Sequence, residues 1–192
     1  MESPVYSSIK KGSFVISLDY DLKMLKKGLK KSKITKGQAV LADARCLPFK
    51  DDSFDLVYSR YVLHCVKAYF RCMKEMKRTM KPEGEIQIID ICAPVLEIKE
   101  FLERCHFEKP PPLSSCAILT KDELLSKTTK LGFYITTMEW STLKEKESSR
   151  KLKSYIQKEL PINPVLRENV KIRKGKRNFY IHLPVVMIRG KM

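Results

Sequence analysis

Glycine is scarce in this chain: only seven of its 192 residues, at positions 12, 28, 37, 84, 132, 175 and 190. No two of them form a G-x-G, so these residues hold no glycine-rich loop of the kind that wraps a phosphate or a dinucleotide. The six cysteines (46, 65, 72, 92, 105 and 116) form no C-x-x-C pair and no zinc-type Cys/His spacing. That pattern argues against a metal site and for reduced thiols, several of them among apolar residues. No uninterrupted apolar run approaches the roughly 20 residues that cross a bilayer as a helix. Met1 to Tyr6 shows no basic start followed by an apolar stretch, so the chain is expected to be cytoplasmic, with no membrane span. Acid is also in short supply, 22 Asp and Glu against 38 Lys and Arg, a net charge of +16. Such an excess favours anionic partners, nucleic acid first, while a surface evenly coated with lysine is the bland alternative.

What is present reads as alternating strands and helices. The length is enough for one domain with a real core, taken here as 1–192. Phe14 to Leu18 is a short apolar strand followed at once by Asp19. Leu22, Leu25 and Leu29 then make a helical apolar stripe among the seven lysines of residues 22–36, a stretch without a single acid. Val40 to Ala42 ends a second apolar run and Phe54 to Tyr58 begins a third; Pro48 and Asp51 to Ser53 supply turn chemistry between them. Asp43 therefore sits just past a strand's carboxyl end, where open α/β sheets hold ligands. Leu63, Val66, Phe70, Met73, Met76 and Met80 recur at three- and four-residue steps, an amphipathic helix stopped by Pro82 and Gly84. Glu85 to Pro94 is the next buried strand. Pro110 to Pro112 continue neither helix nor central strand. Thr120 with Glu123 three residues on is a capping box, and that helix closes at Leu131 to Phe133. Tyr134 to Met138 and Ile181 to Ile188 are the last strands, with Pro184 pointing to an edge or an irregular start.

This alternation predicts an α/β domain: a mostly parallel sheet with helices on both faces and an antiparallel edge formed by the C-terminal strands. An acid that ends a strand in such a fold takes a pair of ribose hydroxyls. Asp19 also suits a helix N-cap, as Asp21 does; the two readings are compatible, and both are assigned to Asp19.

Five ordered segments carry a family resemblance. Ala42-Asp43-Ala44, Leu47-Pro48-Phe49 and Ser53-Phe54-Asp55 look like the G-D-A…L-P-F…F-D acidic-loop motif of class I S-adenosylmethionine-dependent methyltransferases. Leu63-His64-Cys65-Val66, the run from Glu75 to Gly84, and Leu18 to Asp21 with Met24-Leu25 extend the likeness over Phe14 to Pro94. The resemblance implies a Rossmann-like methyltransferase fold and S-adenosylmethionine as cofactor. It assigns Asp19, beside Tyr20, to the ribose. Asp43 would accept from the adenine amino group, and the Ala44 amide would read the ring edge. Ser59 and Arg60 would line the pocket near the methyl donor. His64 and Tyr61 would serve as base or orienting groups, against a purely structural histidine.

The family holds the methionyl half of the cofactor with a glycine-rich loop after its first, central strand. That loop should begin about 20 residues before the ribose acid, and counting back from Asp19 runs past Met1. The central strand is thus expected to be missing. Either its two neighbours pair directly, or Pro4 to Ile9 fill the place, or a partner chain supplies a strand.

Residues 141–178, between the last two strands, read as a basic insertion with 12 Lys and Arg against 4 Glu. Arg173, Lys174, Lys176 and Arg177 form its densest run and are candidates for contact with RNA or another polyanion. A solvated loop is the alternative. The functional expectation is a methyltransferase whose charge tilts it toward RNA or tRNA. The competing one is a catalytically impaired methyltransferase-like subunit that binds RNA or a partner protein.

Overall fold

The computed structural model describes residues 12–31, 37–106, 117–147, 158, 163–169, 171–174 and 179–192. The strands β1 (Val15–Asp19) and β2 (Gly37–Leu41) run parallel, in register from Val15 opposite Gly37 to Asp19 opposite Leu41. Parallel neighbours need a crossover, and α1 (Leu22–Lys31) lies within it. Asp21 starts that helix: its carboxylate accepts from the Lys23 amide at 2.7 Å, an N-cap contact. Of the predicted apolar stripe only Leu25 is buried, whereas Leu22 and Leu29 are 48% and 46% exposed.

The remaining strands form a second sheet. They are β3 (Phe54–Arg60), β4 (Met80–Ala93), β5 (Leu119–Thr120), β6 (Tyr134–Glu147), β7 (Lys171–Lys174) and β8 (Phe179–Lys191). Their order is β3-β4-β8-β6, with β5 joined to the end of β4 and β7 to β8. β3, β4 and β5 are parallel; β8 runs antiparallel to β4, β6 and β7. This is the expected mixed sheet with an antiparallel C-terminal side.

Both faces of β4 are covered because its side chains alternate. Ile86 and Ile88 join Met73, Met76 and Met80 of α2 (Tyr69–Thr79) and Leu124 of α4 (Lys121–Lys130) in one apolar cluster. Ile91 and Ala93, on the opposite parity, meet Ile98, Phe101 and Leu102 of α3 (Leu96–His106) and Leu166 of α5 (Pro164–Asn169) in another. The methionine stripe is core, as its spacing predicts. The Thr120 capping box closes as expected: Glu123 N donates to Thr120 Oγ1 at 3.2 Å, and Thr120 N donates to Glu123 Oε2 at 2.8 Å.

Three expectations need correction. The helix read from Leu63 begins only at Tyr69, and Leu63–Cys65 is a separate 3-10 turn, pinned by a buried carboxylate. The stretch 141–178 is partly a prolongation of the sheet, since β6 continues to Glu147 and pairs with β8 as far back as Phe179. Pro184 lies inside β8, between Val185, where pairing with β4 stops, and His182, where pairing with β7 starts. There one flank has no ladder, which is where a residue lacking an N–H is tolerated in a long strand.

The sheet is also divided. β1 and β3 are not hydrogen-bonded to each other; the described residues form one two-stranded and one six-stranded sheet. Of the three alternatives, direct pairing of the central strand's neighbours is not met, and Pro4 to Ile9 lie outside the described residues. Large apolar side chains are exposed in the smaller unit and its flanks, Phe14 at 61%, Leu41 at 55% and Met24 at 51%.

Between Phe54–Met80 and Leu56–Glu85 the β3–β4 register shifts, and Lys81 to Gly84 form the irregularity. A Cβ on buried Gly84 would lie 2.6 Å from Met80 Cγ, 2.9 Å from Lys81 O and 3.1 Å from Phe54 O. Gly84→Ala should therefore destabilise the fold by about 1–3 kcal/mol, the usual cost of overpacking, measured by urea unfolding against the parent.

Candidate functional site

The carboxyl ends of β1 and β2 carry two carboxylates at the same end of the parallel pair. Asp19 ends β1, and its carbonyl oxygen accepts from the Ala42 amide at 3.1 Å, which ties the start of the acidic loop to it. Asp19 Oδ1 accepts from the Asp21 amide at 2.9 Å, an Asx turn leading into the Asp21 cap. The capping role expected of Asp19 thus falls to Asp21. Asp19 keeps a half-buried carboxylate facing the same strand end, next to exposed Tyr20.

Asp43 lies two residues beyond β2, and Arg45 closes on it. Arg45 Nε donates to Oδ1 at 3.0 Å and to Oδ2 at 2.9 Å, its second guanidinium nitrogen reaches Oδ2 at 2.6 Å, and its amide donates to Oδ1 at 2.8 Å. These four contacts match the four acceptor positions of a carboxylate. The Arg45 side chain holds the Asp43 carboxyl below the usual range, assisted by Arg71 in the first turn of α2. Arg71 follows the carboxyl end of β3. Ala44 packs against the first apolar cluster, which fixes the loop's inner side.

The rest of the acidic loop hangs on Arg78 and Glu75 of α2. Arg78 donates to the carbonyls of Phe49 (2.8 Å) and Leu47 (3.0 Å) and to Asp51 Oδ1 (2.7 Å). It also grips both oxygens of Glu75, at 2.9 and 2.7 Å. Glu75 in turn accepts from the Leu47 amide at 2.8 Å. Arg78 draws the Glu75 carboxyl below its ordinary range against a smaller opposing effect of burial.

At the carboxyl end of β3 the chain turns sharply. Ser59 is buried, and its hydroxyl has no hydrogen-bond partner. Tyr61 adopts φ +53°, a left-handed conformation costly for a bulky residue, held by its amide donating to Ile89 O at 2.9 Å. The exposed Arg60 guanidinium lies 5.0 Å from the centre of the Tyr61 ring. Asp90 of β4 organises the next residues: Oδ2 accepts from Leu63 N and Oδ1 from Ile91 N, both at 2.8 Å, and Oδ1 also meets His64 Nδ1. His64 Nε2 then faces Cys65 Sγ at 3.2 Å. Burial alone would push the imidazole down, yet the Asp90 and Cys65 contacts outweigh it and raise it to about 10. With both nitrogens engaged and the ring protonated at neutral pH, His64 fits the orienting role rather than that of a base.

Of the four basic candidates, Arg173 and Lys174 lie on β7, opposite Tyr180 and Phe179, while Lys176 and Arg177 fall outside the described residues. Sequence reasoning gave no role to Arg45, Glu75, Arg78 or Asp90. Asp90 carried a usable signal, an acid alone within the apolar run Ile86 to Cys92. The Glu75–Arg78 spacing on one helix face carried another.

Residues 4–88 match the methyltransferase domain family. Over that stretch the chain is similar to a methyltransferase domain. Demethylmenaquinone methyltransferases are among its relatives. That of Staphylococcus haemolyticus is 33% identical over 100 residues, and that of Staphylococcus carnosus is 36% identical over 100. In both cases the alignment covers 52% of this chain and 42% of the relative, so the chain spans less than half the length of the curated relatives it matches. Among solved structures, the YcgJ protein of Bacillus subtilis superposes with TM-score 0.72 at 18% identity, covering 91% of this chain and 80% of that one. A SAM-dependent methyltransferase from Methanosarcina mazei gives TM-score 0.57 at 17% identity, covering 95% and 84%. These structures establish the class I methyltransferase fold.

The donor set at these strand ends fits a nucleoside cofactor. Asp19 offers an open carboxylate oxygen, Asp43 is 40% exposed at the same strand end, and the Ser59 hydroxyl is a buried group still in need of a partner. Among the described residues no glycine-rich turn stands beside them.

Two measurements check this geometry. Arg78→Lys keeps the charge but loses the fork that holds two carbonyls and two carboxylates. Hydrogen exchange at the Leu47 and Ser53 amides should accelerate at least about tenfold, as expected where local opening becomes easier. The raised His64 adds stability that is complete below its unfolded value of about 6.5 and is lost as pH climbs toward about 10. His64→Gln should cost about 3–5 kcal/mol at pH 6, since it leaves Asp90 buried without its counter-charge, and the gap to the parent should narrow by pH 10 in denaturant titrations.

Proposed function

We propose that this chain is an S-adenosylmethionine-dependent methyltransferase domain whose described residues hold the adenosine half of the cofactor. The observation that carries this reading is the pairing of Asp19 and Asp43 at one end of two parallel strands, with the Asp43 loop clamped to α2. The cofactor supplies an electrophilic methyl group on a sulfonium; the protein's task is to position it. Asp19 takes the ribose hydroxyls through its open oxygen. Asp43 accepts from the adenine amino group once Arg45 swings aside, and the Ala44 amide meets the ring edge. Ser59 and Arg60 border the methyl-bearing end, and His64, fixed by Asp90, orients the turn containing Tyr61.

One further parallel strand between β1 and β3, from a partner chain or from another segment of the polypeptide, would complete the sheet in this reading. The methionyl end of the cofactor would lie beside that strand, and without it S-adenosylhomocysteine binding and methyl transfer are expected to be weak. The methyl acceptor is proposed to be RNA, supported by the net charge of +16 and by the 12 Lys and Arg of residues 141–178. The names of the relatives favour a small quinone precursor instead. An impaired subunit with the same basic surface is the third reading.

Calorimetric titration with S-adenosylhomocysteine tests the cofactor reading. Asp43→Ala should weaken binding about tenfold to a hundredfold, the loss of a charged hydrogen bond worth about 1.5–3 kcal/mol. Asp55→Ala should not, because Asp55 is at the opposite end of β3, 88% exposed and paired with Lys81. Equal affinities for both variants and the parent, or no binding by the parent, would remove the assignment. For RNA, replacing Arg173, Lys174, Lys176 and Arg177 by Gln should flatten the salt dependence by about 0.7–0.9 log unit per lost phosphate contact. An unchanged slope, or no RNA binding by the parent, returns the run to a solvated loop.

A further inference from the structure

We propose that α1 is a docking surface for an anionic lipid bilayer, with its leucines in the headgroup boundary and its lysines on the lipid phosphates. Residues 22–42 hold seven lysines and no acid, and Lys23, Lys26, Lys27 and Lys30 are exposed on α1. A surface helix normally turns its apolar stripe to the core. α1 turns in only Leu25; Leu22 and Leu29 are 48% and 46% exposed, and Met24 is 51% exposed. Leu22 and Leu29 are two turns apart and so stand on one line along the helix. Lys26 lies beside them, and Lys23 and Lys30 form the adjoining line. A Cβ added to Gly28, one turn beyond Met24, would meet nothing within 4 Å, so that flank stands clear as well.

This arrangement selects the partner. Four ammonium groups with no acid in their helix call for a densely negative surface. The aligned leucines call for an apolar phase beside that charge, and a bilayer surface offers both within about 5–10 Å of depth. Lysine stems lie along apolar surface while their ammonium groups reach outward, which lets Leu22 and Leu29 enter with the charge left among the headgroups. Single-stranded nucleic acid is held instead by aromatic rings or guanidinium planes stacked on its bases, and α1 contains neither. None of the described helices is long and apolar enough to cross a membrane, so the contact is confined to the surface. The proposed methyl transfer uses none of these residues.

The test is co-sedimentation of the full chain with vesicles of phosphatidylcholine alone, or of phosphatidylcholine mixed with phosphatidylglycerol. The parent should partition onto the mixed vesicles at least about tenfold better than onto the neutral ones, and high salt should release most of it. Leu22→Ser together with Leu29→Ser keeps every charge and should lower the partition at least about fivefold. Replacing Lys23, Lys26 and Lys30 by Gln should lower it at least about tenfold. The same loss of charge at exposed Lys121, Lys130 and Lys191 should change it less than about threefold. Where the leucine variant fails to fold, Leu29→Trp in a Trp140→Phe background takes its place. Its emission should move to shorter wavelength on the mixed vesicles and stay unchanged on the neutral ones. Equal losses from the two lysine sets, a partition or an emission indifferent to position 29, or no sedimentation of the parent would overturn the proposal. Binding of an RNA oligonucleotide through Lys23, Lys26 and Lys30, with the leucines irrelevant to vesicle binding, would make nucleic acid the partner of α1 and overturn it too.

Discussion

One guanidinium carries the acidic loop. Among the described residues the β1–β2 unit shares no strand ladder with the six-stranded sheet. The orientation of Asp43 against the rest of the molecule therefore depends on how the loop from Ala42 to Ser53 is fastened. Arg78 fastens it through two backbone carbonyls and two carboxylates at once. Any one of these contacts, made by a lone side chain at the surface, would contribute little, because ordering a long side chain offsets most of the gain. Here the ordering of Arg78 is shared among several bonds, and Glu75 returns a contact to the Leu47 amide. The amides of Asp52 and Ser53 also donate to the carbonyls of Arg78 and Thr79, so the loop's exit is tied to the same helix end.

A second buried carboxylate does comparable work at the end of β3. Asp90 ends three backbone and side-chain accounts in one place: it takes the Leu63 amide, its own neighbour's amide and the His64 ring. A lone ionised acid in that position would be costly to desolvate, and the protonated imidazole offsets the cost. The result is a rigid turn that begins with the left-handed Tyr61. Strain of that kind persists only where the surroundings over-determine the backbone, and it stands at the strand end where a parallel sheet binds its ligand.

Much of this was legible in the residues. Strict spacing of Met73, Met76 and Met80 wrote the core face of α2, and alternation in the apolar run after Glu85 wrote the two covered faces of β4. Thr120 and Glu123 announced their helix start. Asp19 and Asp43 were placed at strand ends by the apolar runs before them, and they lie at one end of a parallel pair. What remained hidden involves partners far apart in sequence: Arg78 with Phe49, Glu75 with Leu47, His64 with Asp90. A pair separated by about 26 to 31 residues leaves no periodic trace. The start of α2 was misread because Leu63 and Val66 fit the apolar spacing while Asp90, from another strand, holds Leu63–Cys65 in a tighter turn.

The sequence by itself determined the class of fold, the order of its elements, the methyltransferase resemblance and the absence of a G-x-G among these residues. Those follow from local periodicity, turn chemistry and motif spacing, which neighbouring residues carry. Only the tertiary structure decided that β8 lies between β4 and β6, that β1 and β3 are not paired with each other, and that Arg45 occupies Asp43. Only it showed His64 locked between a carboxylate and a thiol. Strand pairing and side-chain ion pairs are chosen by competition among distant groups, and their outcome depends on burial and geometry that exist only once the chain has folded.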